Sequence, residues 1–138
     1  MMESRPAYEI NAGQWVVAEV NGIRTLCLKA ERVGKDHVNH FLVPLDPLGD
    51  RRHLRLHYLD PDSPLSPTDG YHLSFTPQDS PDVEPGDALN VDGVVWLKLL
   101  DLPSAQRLYC YVNMADGQVR PRMERRQSRP LRWHVQTI

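Results

Sequence analysis

The sequence predicts an all-β domain, built from consecutive hairpins as a small, partly open barrel or a β-sandwich. Short apolar runs alternate with turn residues about every 8–12 positions, as in small β-domains. The chain contains 12 prolines among its 138 residues, and proline interrupts helices. No window of about 11 residues has the 3.6-residue apolar period of an amphipathic helix. This length fits one domain, so we expect residues 1–138 to share one core.

The first hairpin has the clearest pattern. Residues 13–20 (GQWVVAEV) are followed by Asn21-Gly22 and then by residues 23–30 (IRTLCLKA). Asn-Gly favours a tight hairpin turn because both of its residues accept a positive φ. The second arm alternates imperfectly between apolar and polar residues. This pattern is typical of a strand that is covered on both faces.

Two more hairpins are predicted in the second half of the chain. Their arms are residues 88–91 with 94–100, and residues 107–114 with 118–123. The corners between these arms, Asp92-Gly93 and Ala115-Asp116-Gly117, both carry glycine, which adopts the left-handed conformation that such turns require. Pro121 has no N–H to donate to a ladder, so the last arm is expected at a sheet edge.

The intervening residues predict three further strands and two loops. The strands are residues 37–45, 53–59 and 71–75. Residues 60–87 contain half of the prolines, so we expect two acidic loops around the strand at 71–75. Residues 1–12 form an N-terminal segment, and residues 101–106 are compatible with one helical turn. The alternation at 131–135 predicts a last strand within the C-terminal edge at 120–138.

One stretch resembles a known family. PGDALNVDGVVWLKL, residues 85–99, is similar to the turn-strand-turn-strand piece of bacterial SH3-like domains, in which Gly-Asp enters a strand and Trp follows the next turn. The resemblance covers about 15 of the 138 residues. It implies a small-barrel architecture, and it implies no ligand and no site residue.

The apolar faces of these strands predict the core. We expect much of it to come from Trp15, Leu26, Leu28, Leu54, Leu56, Val95, Leu97, Tyr109 and Tyr111. Trp96 then lies on the opposite face from Val95 and Leu97, where it is core if that face is covered and a contact residue if it is open. We expect that face to be covered and Trp96 to be a core residue. Cys27 and Cys110 lie in apolar runs and are expected to be reduced core thiols.

The sequence also predicts a cytoplasmic protein that does not cross a membrane. The first ten residues, MMESRPAYEI, include an early acid and a proline and lack the apolar run of a secretory signal. No stretch approaches the roughly 18 apolar residues of a membrane helix.

Charge is distributed unevenly, although the net charge is only −2. Residues 56–97 contain eight acids and no Lys or Arg, and residues 98–138 contain eight bases and three acids. The candidate binding residues are Arg120, Arg122, Arg125, Arg126, Arg129, Arg132 and Trp133. Three interpretations remain open: these arginines bind nucleic-acid phosphates, they contact the acidic middle of the same or another molecule, or they form a solvated edge. A pI of about 6.3 and the single aromatic weigh against a dedicated nucleic-acid binder.

Six histidines raise the question of a metal site, with candidate ligands at His37, His40, His53 and His57. His53 and His57 would share one face of a helix, but they lie in a predicted strand, where a spacing of four residues separates side chains by roughly 13 Å. That separation is too large for two zinc-bound imidazoles. A cross-strand site that adds Asp36 or Asp60 stays open. We predict no metal, no cofactor and no catalytic residue, because no nucleophile motif or phosphate-binding loop occurs.

These observations favour a non-catalytic binding or assembly module of bacterial type that acts through protein–protein contacts. The acidic and basic segments suggest self-association that weakens as salt rises. One alternative is nucleic-acid binding through the arginines of the C-terminal segment. The other alternative is a metal-dependent enzyme that uses the clustered histidines.

Overall fold

The computed structural model describes residues 3–20, 22–45, 55–78, 85–101, 108–121 and 128–137. Within these residues the protein is all-β and contains no α-helix. The first sheet has the order β1 (Arg5–Pro6), β6 (Pro64–Thr68), β2 (Trp15–Val20), β3 (Ile23–Val33), β4 (Val38–Pro44) and β5 (His57–Leu59). The second sheet has the order β11 (Val119–Arg120), β10 (Leu108–Asn113), β9 (Val94–Asp101), β8 (Ala88–Val91), β12 (Ser128–Thr137) and β7 (Tyr71–Pro77). Neighbouring strands in both sheets pair antiparallel.

The three predicted hairpins are confirmed as β2–β3, β8–β9 and β10–β11. Asp92 and Gly93 turn β8 into β9 with φ values of 51° and 87°, the two positive values that a tight hairpin turn needs. Gly117 has a φ of 71° at the third corner. Glycine at each corner therefore sets the register of the strands that flank it.

The prediction that residues 60–87 contain only loops around one strand is wrong, because β6 lies inside this segment. The hydrogen bond from the Ala7 N–H to the Ser63 carbonyl fixes the β1–β6 pairing pattern. In this pattern the nitrogen of Pro67 points towards β1, but Pro67 lies beyond Leu65, where the β1–β6 pairing ends. The nitrogen of Pro64 points towards β2, but Pro64 lies beyond Ser66, where the β2–β6 pairing ends. Neither proline removes a ladder hydrogen bond, so both are tolerated in the strand.

Two apolar layers form the core, one on each face of the first sheet. The layer between the sheets includes Leu28, Ala30, Phe41, Val43, Leu97, Leu99, Cys110, Val112 and Trp133. The layer on the other face includes Ala7, Ile10, Val16, Ala18, Cys27, Leu42 and Leu65. The short 3₁₀ turn at Ala7–Glu9 helps to cover this second layer. The strand β3 is therefore buried on both faces, which explains its imperfect alternation.

Most of the predicted core residues face the interior. Leu28, Leu56 and Leu97 are buried, and so is Trp96. Trp15, Leu26, Val95 and Tyr111 are half-buried, and Leu54 lies outside the described residues. Tyr109 and Tyr111 are errors, because both lie on the outer face of β10, where Tyr109 is 38% exposed and Tyr111 is half-buried. Their neighbours Cys110 and Val112 occupy the inner face of β10 instead, so the predicted faces of this strand are one residue out of phase. Both cysteines are buried thiols outside any disulfide, as expected.

The described strands form two open sheets that do not close into a barrel. Backbone hydrogen bonds link the sheets at two places: Glu31 N–H to the Gly117 carbonyl, 2.9 Å, and Leu56 N–H to the Leu100 carbonyl, 3.0 Å. Residues 88–91 and 94–99 form the β8–β9 hairpin, but the small barrel that the resemblance to SH3-like domains implied is not observed among the described strands. In the described residues no helix is long and apolar enough to cross a membrane. The expected helical turn at 101–106 lies, apart from Asp101 in β9, outside the described residues.

Candidate functional site

The structure separates the predicted binding residues into four groups. Arg120 in β11 and Arg132 in β12 are exposed. Trp133 is 2% exposed in the core and donates from its indole Nε1 to the Gly86 carbonyl at 2.7 Å. The backbone of Arg129 pairs with Asn90 in the β12–β8 ladder. The other three predicted residues, Arg122, Arg125 and Arg126, lie outside the described residues.

The strand register places basic and aromatic side chains together on the outer face of the second sheet. Arg120 pairs with Tyr111, and Tyr111 pairs with Lys98 on the next strand. Two cations lie over aromatic rings. Arg120 Cζ is 5.6 Å from the Trp96 ring centroid, and Lys98 Nζ is 4.6 Å from the Tyr109 centroid. Contacts of this kind orient the cation and the ring. The sequence pattern missed this row because its members come from separate strands.

The strand β7 ends the second sheet, and among the described strands it has only β12 beside it. The Gln78 N–H donates to the Pro130 carbonyl at 3.1 Å, and these two residues continue the β7–β12 register. In an antiparallel ladder hydrogen-bonded pairs alternate with non-bonded pairs. Ser74 and Thr76 therefore direct their backbone N–H and C=O groups to β12. The same groups of Tyr71, Leu73 and Phe75 point to the free edge.

The core is less completely covered at this edge than in the middle of the sheet. Leu73, Phe75 and Val135 pack against the inter-sheet layer but are only half-buried. Leu97 and Val112, on the central strands, are both 0% exposed. Apolar side chains at the end of the sheet therefore lack the neighbours that a further strand would supply.

The edge also lacks the features that usually block strand addition. Tyr71–Pro77 contains no Lys, Arg, Asp or Glu, whereas edge strands are commonly protected by charges, bulges or extra prolines. Its single proline, Pro77, is the last residue. The alternation of 71–75 was visible in the sequence, but its position at the end of the sheet depends on long-range pairing with β12.

A second polar feature lies under the N-terminal segment of the first sheet. Lys29 is 0% exposed, and its Nζ lies 3.0 Å from Glu31 Oε1, 2.9 Å from His40 Nδ1 and 3.3 Å from the Ile10 carbonyl oxygen. These three contacts match the three N–H donors of an ammonium group. The cluster therefore anchors the segment around Ile10 to strands β3 and β4.

Burial controls the protonation of this cluster. Desolvation lowers the pKa of Lys29, against the opposing effect of the hydrogen bond and charge of Glu31. Burial and the adjacent charge of Lys29 lower the pKa of His40 from its ordinary value of 6.5. A neutral His40 accepts from Lys29 through Nδ1 and carries its proton on Nε2. In this arrangement the three N–H donors of Lys29 all have acceptors, as expected of a structural hydrogen-bond network.

The three candidate histidines that lie in the described residues are dispersed rather than gathered at one site. His37 is exposed beside Gly34 in the β3–β4 turn, His40 contacts Lys29, and His57 lies on β5. His53 lies outside the described residues. The part of the chain that the structure describes holds no group of three or more His, Cys, Asp or Glu residues suited to a metal ion.

A small cleft opens beside the N-terminal segment. Its volume is about 200 Å³, and it is lined by Glu3, Arg5, Glu9, Ile10, Gln14 and Pro67. This volume is below the range of about 300–1,000 Å³ that is usual for small-molecule sites. The β7 edge and the outer face of the second sheet are therefore the stronger candidates for contacts with a partner.

No protein-family model matches this chain, and neither the curated proteins nor the solved structures contain a match. The candidate function therefore depends on the surfaces just described.

Proposed function

We propose that this protein is a non-catalytic binding and assembly module that acts through protein–protein contacts, in which β7 accepts an added strand. The observation that carries the proposal is the edge of β7 that no other described strand covers, where the backbone groups of Tyr71, Leu73 and Phe75 point away from β12. Strand addition is a common mode of peptide and protein recognition. The backbone hydrogen bonds supply affinity, and the alternate side chains supply specificity.

The exposed apolar surface at this edge supports the same function. An added strand would bury more of Leu73 and Phe75, which are half-buried in the chain by itself. Each square ångström of apolar surface removed from water contributes about 25 cal/mol. The absence of charge along Tyr71–Pro77 means that no charged group of β7 has to be desolvated.

A peptide titration tests strand addition. The probe is a synthetic peptide with the sequence of residues 71–77, YHLSFTP, added in large excess to isotope-labelled protein that is diluted until its own amide signals no longer change with protein concentration. We expect it to shift and protect the amide groups of Leu73 and Phe75, while those of Ser74 and Thr76 remain protected by β12 throughout.

The control is the same peptide N-methylated at its own Leu and Phe, which cannot donate the required hydrogen bonds. It should bind much more weakly. Equal effects of the two peptides, or no effect of either one on β7 amides, would contradict strand addition.

Nucleic-acid binding is a second candidate function, and the basic and aromatic row on the outer face supports it. The exposed Arg120 lies beside the half-buried Tyr111, and an arginine next to an aromatic ring is a combination that single-stranded nucleic-acid binders use. Fluorescence polarisation with labelled single-stranded DNA and RNA tests this candidate. Affinity should fall steeply with salt and decrease in the Arg120→Ala/Arg132→Ala variant. The control is Arg24→Ala, which changes an exposed arginine on the first sheet. Unchanged affinity in the double variant would remove this candidate.

A further inference from the structure

We infer that the strand added at β7 is the β7 of a second copy of this chain, paired antiparallel so that Ser74 faces Ser74 of the second copy. This inference rests on the proposed strand addition and names its partner. The result is a two-fold symmetric dimer in which the two second sheets join into one continuous sheet. Such isologous pairing uses the same surface on both copies and closes after two.

The hydrogen-bonding pattern and the overlap of the whole strand together select this register. Only residues 71, 73, 75 and 77 direct backbone groups to the free edge, so the bonded partners across the interface must come from this set. With Ser74 on the two-fold axis, Leu73 pairs with Phe75 of the second copy, and Tyr71 pairs with Pro77. All seven residues of the strand then overlap. Proline has no N–H, and Pro77 pairs with Tyr71, the first residue of the partner strand, where only one bond of the pair is lost.

The side chains that this register brings together are complementary. On the core side, Leu73 of each copy lies opposite Phe75 of the other, which extends the inter-sheet apolar layer across the axis. Apolar cross-strand pairs of this kind contribute up to about 1 kcal/mol each. On the outer side, His72 lies opposite Thr76 and Ser74 lies opposite Ser74. The two His72 side chains lie opposite Thr76 and not opposite each other, and β7 contains no Lys, Arg, Asp or Glu.

Engineered cysteines test the partner and the register together. Residues at a non-bonded antiparallel position have Cα atoms roughly 4.5 Å apart, which a disulfide can bridge. The variant is Ser74→Cys, incubated with oxidised glutathione at a protein concentration where wild type sediments as a dimer. The native thiols Cys27 and Cys110 are each 0% exposed and so are protected in the folded protein.

The matched controls are His72→Cys and Thr76→Cys on the same outer side of β7. In the dimer, residue 72 of one copy and residue 72 of the other lie about 13 Å apart along the strands, and the same holds for residue 76. Neither variant should therefore form a disulfide alone. An equimolar mixture of the two should cross-link, because His72 faces Thr76. Circular dichroism confirms that all three variants remain folded.

The expected result is a disulfide-linked dimer of Ser74→Cys, and of the mixed controls, with little product from either control alone. A reduced, monomeric Ser74→Cys protein, or equal cross-linking of all three variants, would overturn the inference. If the YHLSFTP peptide binds to β7 but Ser74→Cys does not cross-link, strand addition stands and the second copy is excluded as its partner. If neither occurs, the proposed function fails as well.

Discussion

Lys29 and His40 are in direct contact in the interior of the protein, with Nζ of the first 2.9 Å from Nδ1 of the second. Glu31 Oε1 lies 3.0 Å from the same Nζ and 3.7 Å from His40 Nδ1, so its carboxylate pairs with Lys29 when His40 is neutral. The contact requires His40 to be neutral, because a protonated imidazole would place a second cation beside a desolvated ammonium group. The stability of the first sheet is therefore linked to pH.

We predict that the free energy of unfolding decreases as pH falls below about 6.5. Burial and Lys29 lower the pKa of folded His40 below that ordinary value, so the unfolded chain binds a proton before the folded one does. Stability is then complete above the unfolded pKa and is lost as pH falls towards the folded one. Burial, aided by Arg55, has the same effect on the pKa of His57.

Urea unfolding at a series of pH values checks this prediction. The His40→Gln variant keeps an oxygen that can accept from Lys29, so it should lose part of the pH dependence and retain most of the stability at neutral pH. His37→Gln, in the exposed turn, is the control and should behave as wild type does. An unchanged slope in His40→Gln would contradict the linkage.

Replacing Lys29 alone should destabilise the protein. We expect Lys29→Met to lower the free energy of unfolding by about 3 kcal/mol, because a buried ion pair that loses one partner leaves polar groups uncompensated. The double variant Lys29→Met/Glu31→Leu should recover part of this loss. Lys35→Met changes an exposed lysine and should stay within about 0.5 kcal/mol of wild type. A single variant more stable than wild type would refute this account of the cluster.

Gly117 should tolerate substitution much less well than Gly93, although both have positive φ values, 71° and 87°. A Cβ at Gly117 would lie 2.6 Å from the Lys29 carbonyl oxygen, whereas one at Gly93 meets nothing within 4 Å. We expect Gly93→Ala to cost about 1–2 kcal/mol through backbone strain. Gly117→Ala should cost about 3–5 kcal/mol because it also displaces the link to Glu31. Thermal and urea unfolding would measure both, and equal losses would contradict the close packing.

The salt dependence of self-association separates two mechanisms. Pairing of the uncharged β7 strands should change little in affinity between about 0.1 M and about 1 M salt, although the Debye length falls from about 10 Å to about 3 Å. Association of the acidic 56–97 region with the basic 98–138 region, as the charge distribution suggests, would weaken strongly over this range. Sedimentation velocity at several concentrations distinguishes them, and a dimer that dissociates in high salt would contradict the β7 interface.

A charge placed on the proposed axis should weaken the dimer. Ser74→Lys brings two like charges face to face, which raises the dissociation constant about fivefold if the repulsion is near 1 kcal/mol. Val94→Lys adds the same charge to an exposed position on the outer face of the same sheet, three strands from the edge. It should leave the dissociation constant unchanged. Equal effects of the two variants would place the interface elsewhere.

The sequence predicted the local parts of this fold and missed its long-range parts. The corners at Asp92-Gly93 and Gly117 follow from local backbone preferences, which a turn dipeptide displays directly. The strand β6 was missed because the tolerance of Pro64 and Pro67 depends on where the pairing of β1 and β2 ends. The ends of this pairing are determined by residues of β1 and β2, which lie far from β6 in the sequence.

The candidate site shows the same limit. Arg120 and Arg132 were selected from a run of arginines, but the aromatic partners of Arg120 came from β9 and β10. Trp133 was selected with them and is instead a core residue, because alternation in β12 turns it inward. The edge position of β7 could not be predicted, since it depends on which strand pairs with residues 128–137.

Amide hydrogen exchange as a function of protein concentration tests the central claim most directly. The account predicts that the Leu73 and Phe75 amides exchange slowly in concentrated protein and rapidly after dilution, while Ser74 and Thr76 remain protected by β12 at both concentrations. Rapid exchange of Leu73 and Phe75 at the highest concentration, or protection that dilution does not remove, would contradict it.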